Sequence, residues 1–465
     1  MAKRTNVDMF SYLTDTLILI VISFLPFKEA AKTSLLSKRW RNLWRGTKKI
    51  EFDQSLFVKQ ESEESNQGSR KTQKRVFLDF CKLWVGTYPQ LSANEFRLAL
   101  SDPQENDTDT QLLIRFAVDR GVKALDLDFS RPTCDENQVE LFELPLFVYE
   151  HIGLESLALF SCNFRVSLLN KFLALKSLSL GGVKLTNSCV KDLVSNCPLL
   201  ESLSLKNCSD LGCINISSTR LRNLVIEKCS DLENGIVVDV PNLRVLKYSG
   251  LLVHFEIEYM KGLVEADFDF GFETEFGEYG DLLYQLLGDV WSARVLTVCS
   301  YMLQVIPSAE EYPSLKPPFE GVQHLTLKAA LDVHEFHGIS FFLNSCPHLE
   351  TLTIDLVPAR IFQERGTDLA IDEHEFMSSF ELIIVYECVR KSLKVVEING
   401  FKGQLNELVV INYLLFHGLV LDTLSIVLSK EKDPDGADME SSYRKNAQDL
   451  LKFNRASASL RILIN

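Results

Sequence analysis

The sequence predicts an α/β chain: a three-helix module at the N-terminus, then a curved solenoid of parallel strands, closed by an α+β cap. Three observations carry this. A six-residue pattern, LxxLxL, recurs as LESLAL from 154, LKSLSL from 175, LESLSL from 200, LRNLVI from 221 and LRVLKY from 243. Segments of helical character, such as SCVKDLVSNCPLL (188–200), lie between the copies. Residues 13–45 carry apolar residues at helical spacing, with Trp40 and Trp44 four apart.

Composition bounds the rest. A chain of 465 residues exceeds one compact core, which fits several domains or a repeat array. A net charge of −14 argues against nucleic-acid binding outside a local basic patch. Eleven cysteines, scattered and without a CxxC pair, fit a reducing compartment, the cytoplasm and/or nucleus. Lys3 and Arg4 precede an apolar run from Leu17 to Leu25, but this run is too short for a membrane span and lacks a cleavage site. No membrane partner is expected.

In the N-terminal module Thr14 or Asp15 can cap a first helix, and Pro26 stops it. A second helix fits KEAAKTSL (28–35). Ser37 can cap a third, KRWRNLWR, on which Leu36, Trp40, Leu43 and Trp44 share a stripe flanked by arginines. The first helix is apolar nearly all round, which predicts burial on every side. Thirty residues cannot supply that cover alone, so either the rest of the chain or a partner does. Lys38, Arg39, Arg41, Arg45, Lys48 and Lys49 could mimic a nucleic-acid reader. The tryptophans share their stripe with leucines, however, and read as packed rather than free to stack on bases.

LTDTLILIVISFLPFKEAAKTSLLSKRWRNLW resembles the F-box of plant F-box proteins, through SFLP, KEA and LSKRWR.LW. Thr14 stands where that family has proline. The resemblance implies docking to a Skp-family adaptor, which links the chain to a cullin scaffold in an SCF-type ubiquitin ligase. On this reading residues 8–50 form the F-box. Its adaptor contacts are Leu13, Ile18, Ile22, Leu25, Pro26, Leu36, Arg39, Trp40, Leu43 and Trp44.

Residues 59–75 are charged and polar and read as a loop, followed by a helix near 76–85; residues 51–119 form a linker and helical lead-in. Leucine-rich repeats then occupy 120–375. Looser copies start at 122, 263, 293, 322, 349, 393 and 421. Alternation puts Leu178 and Leu180 inside and Ser177 and Ser179 outside. No unit can bury its own leucines, so neighbours must stack. Cys162, Cys208 and Cys229 each fall eight residues after the first leucine of their unit, where the repeat turns and a small side chain faces inward. Cys197 and Cys346 precede proline at equivalent helix ends. The stretch 267–281 reads as a loop rich in aromatics, tucked onto the solenoid or presented to a partner.

Residues 376–430 resemble the FBD domain that closes many plant F-box/LRR proteins, with Phe401, Gly403 and Glu407 in its turn and a helix from Asn406 to Phe416. A C-terminal tail, 431–465, follows, and the stretch 429–446 is polar. The outward strand positions Ser156, Ser177, Ser179, Ser202, Ser204, Asn223, Lys247, Thr351 and Thr353 are the candidates for contact with an unknown target protein.

Catalytic and cofactor motifs are lacking: there is no GxGxxG, GxxxxGK[ST] or GxSxG, and HEFH (334–337) does not complete a metal site. No catalytic residue, cofactor or metal is expected. Through its F-box resemblance the sequence reads as the non-catalytic, substrate-recognition subunit of a ubiquitin ligase. The alternatives are a repeat scaffold working outside a ligase and a small-molecule-responsive F-box receptor.

Overall fold

A computed structural model describes residues 9–57, 67–131, 141–232, 234–258, 260, 262–273, 280–306, 319–360, 385–431 and 439–465. The chain divides into two compact units, Met1–Ser209 and Asp210–Asn465.

The first unit opens with α1 (Asp15–Ser23) and α2 (Phe27–Lys32), joined through Pro26. Thr14 caps α1, its hydroxyl accepting from the Leu17 N–H at 3.4 Å. The third helix expected over 37–45 does not form. Trp40 N–H bonds the Ser37 carbonyl and Leu43 N–H the Trp40 carbonyl, both three residues back, before a 3₁₀ turn over Leu43–Gly46. At three residues per turn, positions four apart point in different directions. Trp40 and Trp44 therefore part: Trp40 joins the module core, and Trp44, at its margin, turns its ring to Phe27 and Trp84 ahead of the next element.

That element is β1 (Lys49–Asp53), followed by the short α3 (Gln54–Phe57), α4 (Gln67–Gly86), β2 (Glu95–Ala99), α5 (Asp107–Asp119) and β3 (Ala124–Asp128). Two expectations change here. The sheet begins at Lys49, so the expected lead-in of 51–119 contains repeat strands. Residues 67–75, read as loop, are the first turns of α4, whose apolar face only starts beyond them; of the expected loop, 59–66 lie outside the described residues.

After the small β4 (Phe142–Glu143), the unit continues with β5 (Ser156–Phe160), β6 (Cys162–Asn163), β7 (Ser177–Gly181), α6 (Asn187–Asn196) and β8 (Ser202–Lys206). Strands β1, β2, β3, β5, β7 and β8 pair in parallel, in that order. Ile50, Phe96, Leu125, Leu157, Leu178 and Leu203 form one buried row across it. Each such side chain contributes about 2 kcal/mol of burial.

The second unit repeats the scheme with β10 (Asn223–Glu227), β12 (Val245–Ser249), β14 (Glu265–Asp269), β15 (Val295–Cys299), β16 (His324–Ala329), β17 (Thr351–Leu356), β18 (Val395–Phe401), β19 (Thr423–Leu428) and β20 (Arg461–Ile464), again all parallel. Its opposite layer is not uniformly helical. β9 (Ile214–Ser217), β11 (Ile236–Asp239) and β13 (Phe255–Ile257) make a second, three-stranded parallel sheet.

The cysteines at the repeat turns are buried and donate to backbone carbonyls: Cys208 Sγ reaches Lys206 O at 3.5 Å and Cys229 Sγ reaches Glu227 O at 3.7 Å. The aromatic stretch 267–281 is only partly a loop. Phe268 lies on β14 and Phe270 follows it, both fully buried, while Phe276 and Tyr279 lie outside the described residues. The expected C-terminal tail, 431–465, holds a helix (Glu440–Asp449) and the strand β20.

Candidate partner-docking site

The helix α1 has two apolar stripes. Ile18 and Ile22 point inward and form a buried cluster with Ala30 and Trp40; Leu13, Leu25, Leu43 and Trp44 pack against it. The ring of Phe10 meets Trp40 edge-on at 5.9 Å. The other stripe, Leu17, Ile20, Val21 and Phe24 at i, i+3, i+4 and i+7, points out and is exposed. Phe24 is 83% exposed, and across the second helix Leu35 and Leu36 are exposed as well, Leu35 at 85%.

Two expectations meet the structure here. Of the two covers expected for the helix, the rest of the chain or a partner, this chain leaves the outer stripe open. Of the expected adaptor contacts, Ile18, Ile22 and Trp40 lie in the module's interior, and Leu13, Leu25, Leu43 and Trp44 are only partly accessible. Pro26 and Leu36 remain exposed. Arg39 is tied inward: its Nε donates to Asp15 Oδ1 at 2.8 Å and its Nη2 to the Leu13 carbonyl, which fixes the start of α1. The outward stripe was readable as a second helical period, but the inward one overlaps it in the same nine residues.

Behind the module lies an aromatic junction. Trp84 on α4 is 4% exposed, and its ring centre sits 5.5 Å from Phe27, 5.4 Å from Phe52, 5.1 Å from Tyr88 and 6.3 Å from Trp44. Tyr88 donates its hydroxyl to the Thr47 carbonyl at 2.9 Å, and burial raises its pKa to about 12, so it stays protonated. These rings weld the N-terminal helices to the first strand of the sheet.

The expected target positions form rows on the outer faces. In the first unit Ser156, Ser177 and Ser202 stand side by side, and next to them Ala158, Ser179 and Ser204. Beside this small-residue shelf is a charged group that the sequence did not single out as a site. Arg97 reaches Asp126 at 2.5 Å, Asp128 at 3.2 Å and Glu51 at 3.8 Å. Burial raises the pKa of Asp126, against the pull of Arg97. In the second unit Asn223 lies on β10 and Lys247 on β12, where Lys247 pairs with Glu265 at 2.5 Å. Thr351 and Thr353 lie on β17, Thr353 between Thr326 and Glu397. No group of metal-ligating residues occurs among the described residues.

Comparison with known proteins places this geometry. Residues 10–51 match the F-box domain, and residues 92–465 match the family described as At1g61320/AtMIF1, LRR domain. This chain belongs to the F-box/LRR-repeat family. In Arabidopsis thaliana it is similar to F-box protein At3g62230, 34% identical over 92% of each chain. It is also similar to putative F-box/LRR-repeat protein At1g56400, 32% identical over 97% of this chain and 98% of that one. F-box/FBD/LRR-repeat protein At1g78750 is 28% identical over 91% of this chain and 90% of its own length.

The family implies a substrate-adaptor role of the kind SCF ligases use, and its F-box implies a Skp-family adaptor. The segment expected to be FBD-like, 376–430, falls within the LRR-domain match. From 395 onward its strand, turn, helix (Leu405–His417) and strand continue the same sheet, while 376–384 lie outside the described residues. Its turn has a physical basis: Gly403 takes φ of +83°, and the buried Glu407 accepts the N–H groups of Lys402 and Gly403 at 2.9 and 2.7 Å. Among the described residues no helix is long and apolar enough to cross a membrane.

Proposed function

We propose that this chain is the substrate-recognition subunit of an SCF-type ubiquitin ligase. The face formed by Leu17, Ile20, Val21, Phe24, Leu35 and Leu36, with Pro26 at its edge, docks the Skp-family adaptor and through it the cullin. The observation that carries this is the two-sided α1, whose outer stripe has no cover within the F-box. An exposed apolar face of this kind marks an interaction site. Ile18, Ile22, Trp40 and their neighbours shape the face from beneath.

The outer face of the repeat sheet holds the target protein. The mechanism is proximity: tethering raises the effective concentration of a target lysine beside a charged conjugating enzyme, and the chain itself performs no bond chemistry. Among the described residues ten cysteines are free thiols, eight of them buried, which fits work in the reducing cytoplasm or nucleus. Reconstitution tests the reading. Tagged chain mixed with Skp-family adaptor, cullin and RING subunit is expected to retain all three on the resin and to support transfer of ubiquitin to a co-captured protein. Retention of none of them favours a scaffold working outside a ligase.

A further inference from the structure

The F-box is an island of positive charge on an acidic chain. Residues 9–50 hold eight lysines and arginines against two acids, whereas the whole chain holds 49 against 63. Both acids of the module are taken up internally: Asp15 pairs with Arg39 at 2.7 Å and Glu29 with Lys32 at 2.5 Å. Lys49 takes Glu95 of β2 at 3.3 Å, and Arg45 donates to the Thr87 carbonyl at 3.4 Å. Lys28, Lys38, Arg41 and Lys48 are left over. All four are exposed, and none has an ion-pair partner among the described residues.

Three of these border the open apolar face. Lys28 lies in the first turn of α2, four residues after the exposed Phe24 and seven before Leu35. Lys38 follows the exposed Leu36 by two residues. Arg41 comes three later, in the stretch whose hydrogen bonds run three residues back, so it shares a side with Lys38 while Trp40 turns inward. The face thus has an apolar middle and a cationic margin, and the module's own acids are already paired. A partner that covers the apolar residues draws these cations out of water, which costs free energy unless anions meet them. A basic surface is repelled at such a margin, and an acidic one is attracted before contact.

We infer that the adaptor surface meeting this face is acidic, with carboxylates opposite Lys28, Lys38 and Arg41 around an apolar seat for Phe24, Leu35 and Leu36. This rests on the reading that the F-box docks a Skp-family adaptor, and it names the chemistry of that adaptor's surface. Cations at an exposed margin add little affinity and act mainly on the rate of encounter. The experiment follows binding of the full chain to immobilised Skp-family adaptor, resolving association from dissociation. It is run at about 0.01 M and about 1 M salt, where charges act over roughly 30 Å and roughly 3 Å. The triple variant Lys28→Gln, Lys38→Gln, Arg41→Gln is expected to associate about tenfold more slowly than the parent at low salt and within about twofold of it at high salt. Its dissociation should stay within about threefold, and its melting temperature should not move. A control triple on exposed lysines elsewhere, Lys171→Gln, Lys191→Gln, Lys445→Gln, should associate within about twofold of the parent at both salts. Association of the parent that ignores salt, or equal slowing in both triples, overturns the inference and leaves the ligase reading standing. No capture of adaptor at either salt overturns the ligase reading and the inference with it. The same proteins are tested on phosphatidylserine vesicles and on duplex DNA. Binding there that the F-box triple loses, with adaptor association unchanged, assigns these cations to a lipid or nucleic-acid surface and overturns the inference.

Discussion

Trp84→Ala tests whether the aromatic junction, rather than the linker sequence, fastens the F-box to the repeats. The ring is almost wholly buried and touches four other aromatic rings. Truncating such a residue removes its transfer energy and leaves a cavity, about 3–5 kcal/mol together. Each lost aromatic pair carries part of that loss. One feature works the other way: Trp84 Nε1 is buried without a hydrogen-bond acceptor among the described residues. Trp84→Phe removes that unpaired donor while keeping most of the ring, so it should cost less than half as much. The assay is urea unfolding of the full chain followed by fluorescence and circular dichroism. Trp84→Ala should lower the first midpoint by about 1 M, taking a slope near 3 kcal/mol/M. Trp84→Phe should lower it far less. A shift under about 0.3 M for Trp84→Ala would refute the junction as a stabilising element.

Other predictions follow from single sites. Asp289 has its pKa raised to about 6 by burial, against the pull of His254. Its folded pKa lies above its unfolded value, so its favourable contribution is present below about pH 4 and lost as pH rises toward 6. Asp289→Asn should therefore stabilise the chain by about 1 kcal/mol at pH 8, allowing for solvent screening of a half-buried group, and by nearly nothing at pH 4; chemical denaturation at both pH values checks this. Gly403→Ala places a Cβ 2.5 Å from Asn446 Cβ at φ +83°, and should cost more than 2 kcal/mol by thermal or urea unfolding. Gly212→Ala, at φ +64° but with open space around it, should cost about 1 kcal/mol. Thr14→Ala should cost about 0.5 kcal/mol, the low end for a cap, because its bond to Leu17 is long.

Much of the repeat array was legible. All twelve quoted units form strands, each starting two residues into the unit, because LxxLxL combines a turn-side leucine with period-two burial. The strands that escaped notice carry the same period in other residues. KIEFD buries Ile50 and Phe52, and EFRLA buries Phe96 and Leu98, among charges that hide the pattern. The start of α4 was hidden because residues 67–75 hold few apolar side chains. In the F-box, residue identity was informative and side-chain direction was not. Nine consecutive residues of α1 serve both an inner and an outer face, and the interleaved stripes read as a helix buried all round. The tryptophan stripe failed for a different reason, since a 3₁₀ geometry turned Trp40 and Trp44 apart.

The adaptor titration bears most directly on the two-sided helix. Purified Skp-family adaptor is added to the parent chain, to Phe24→Ser and to Leu35→Ser, with melting temperature measured in parallel. Both positions are over four-fifths exposed, so neither change should destabilise the fold. Each should weaken adaptor binding by about 30-fold, the equivalent of roughly 2 kcal/mol of apolar burial at the interface. Unchanged affinity in both variants, with the parent binding tightly, would contradict the assignment of this face.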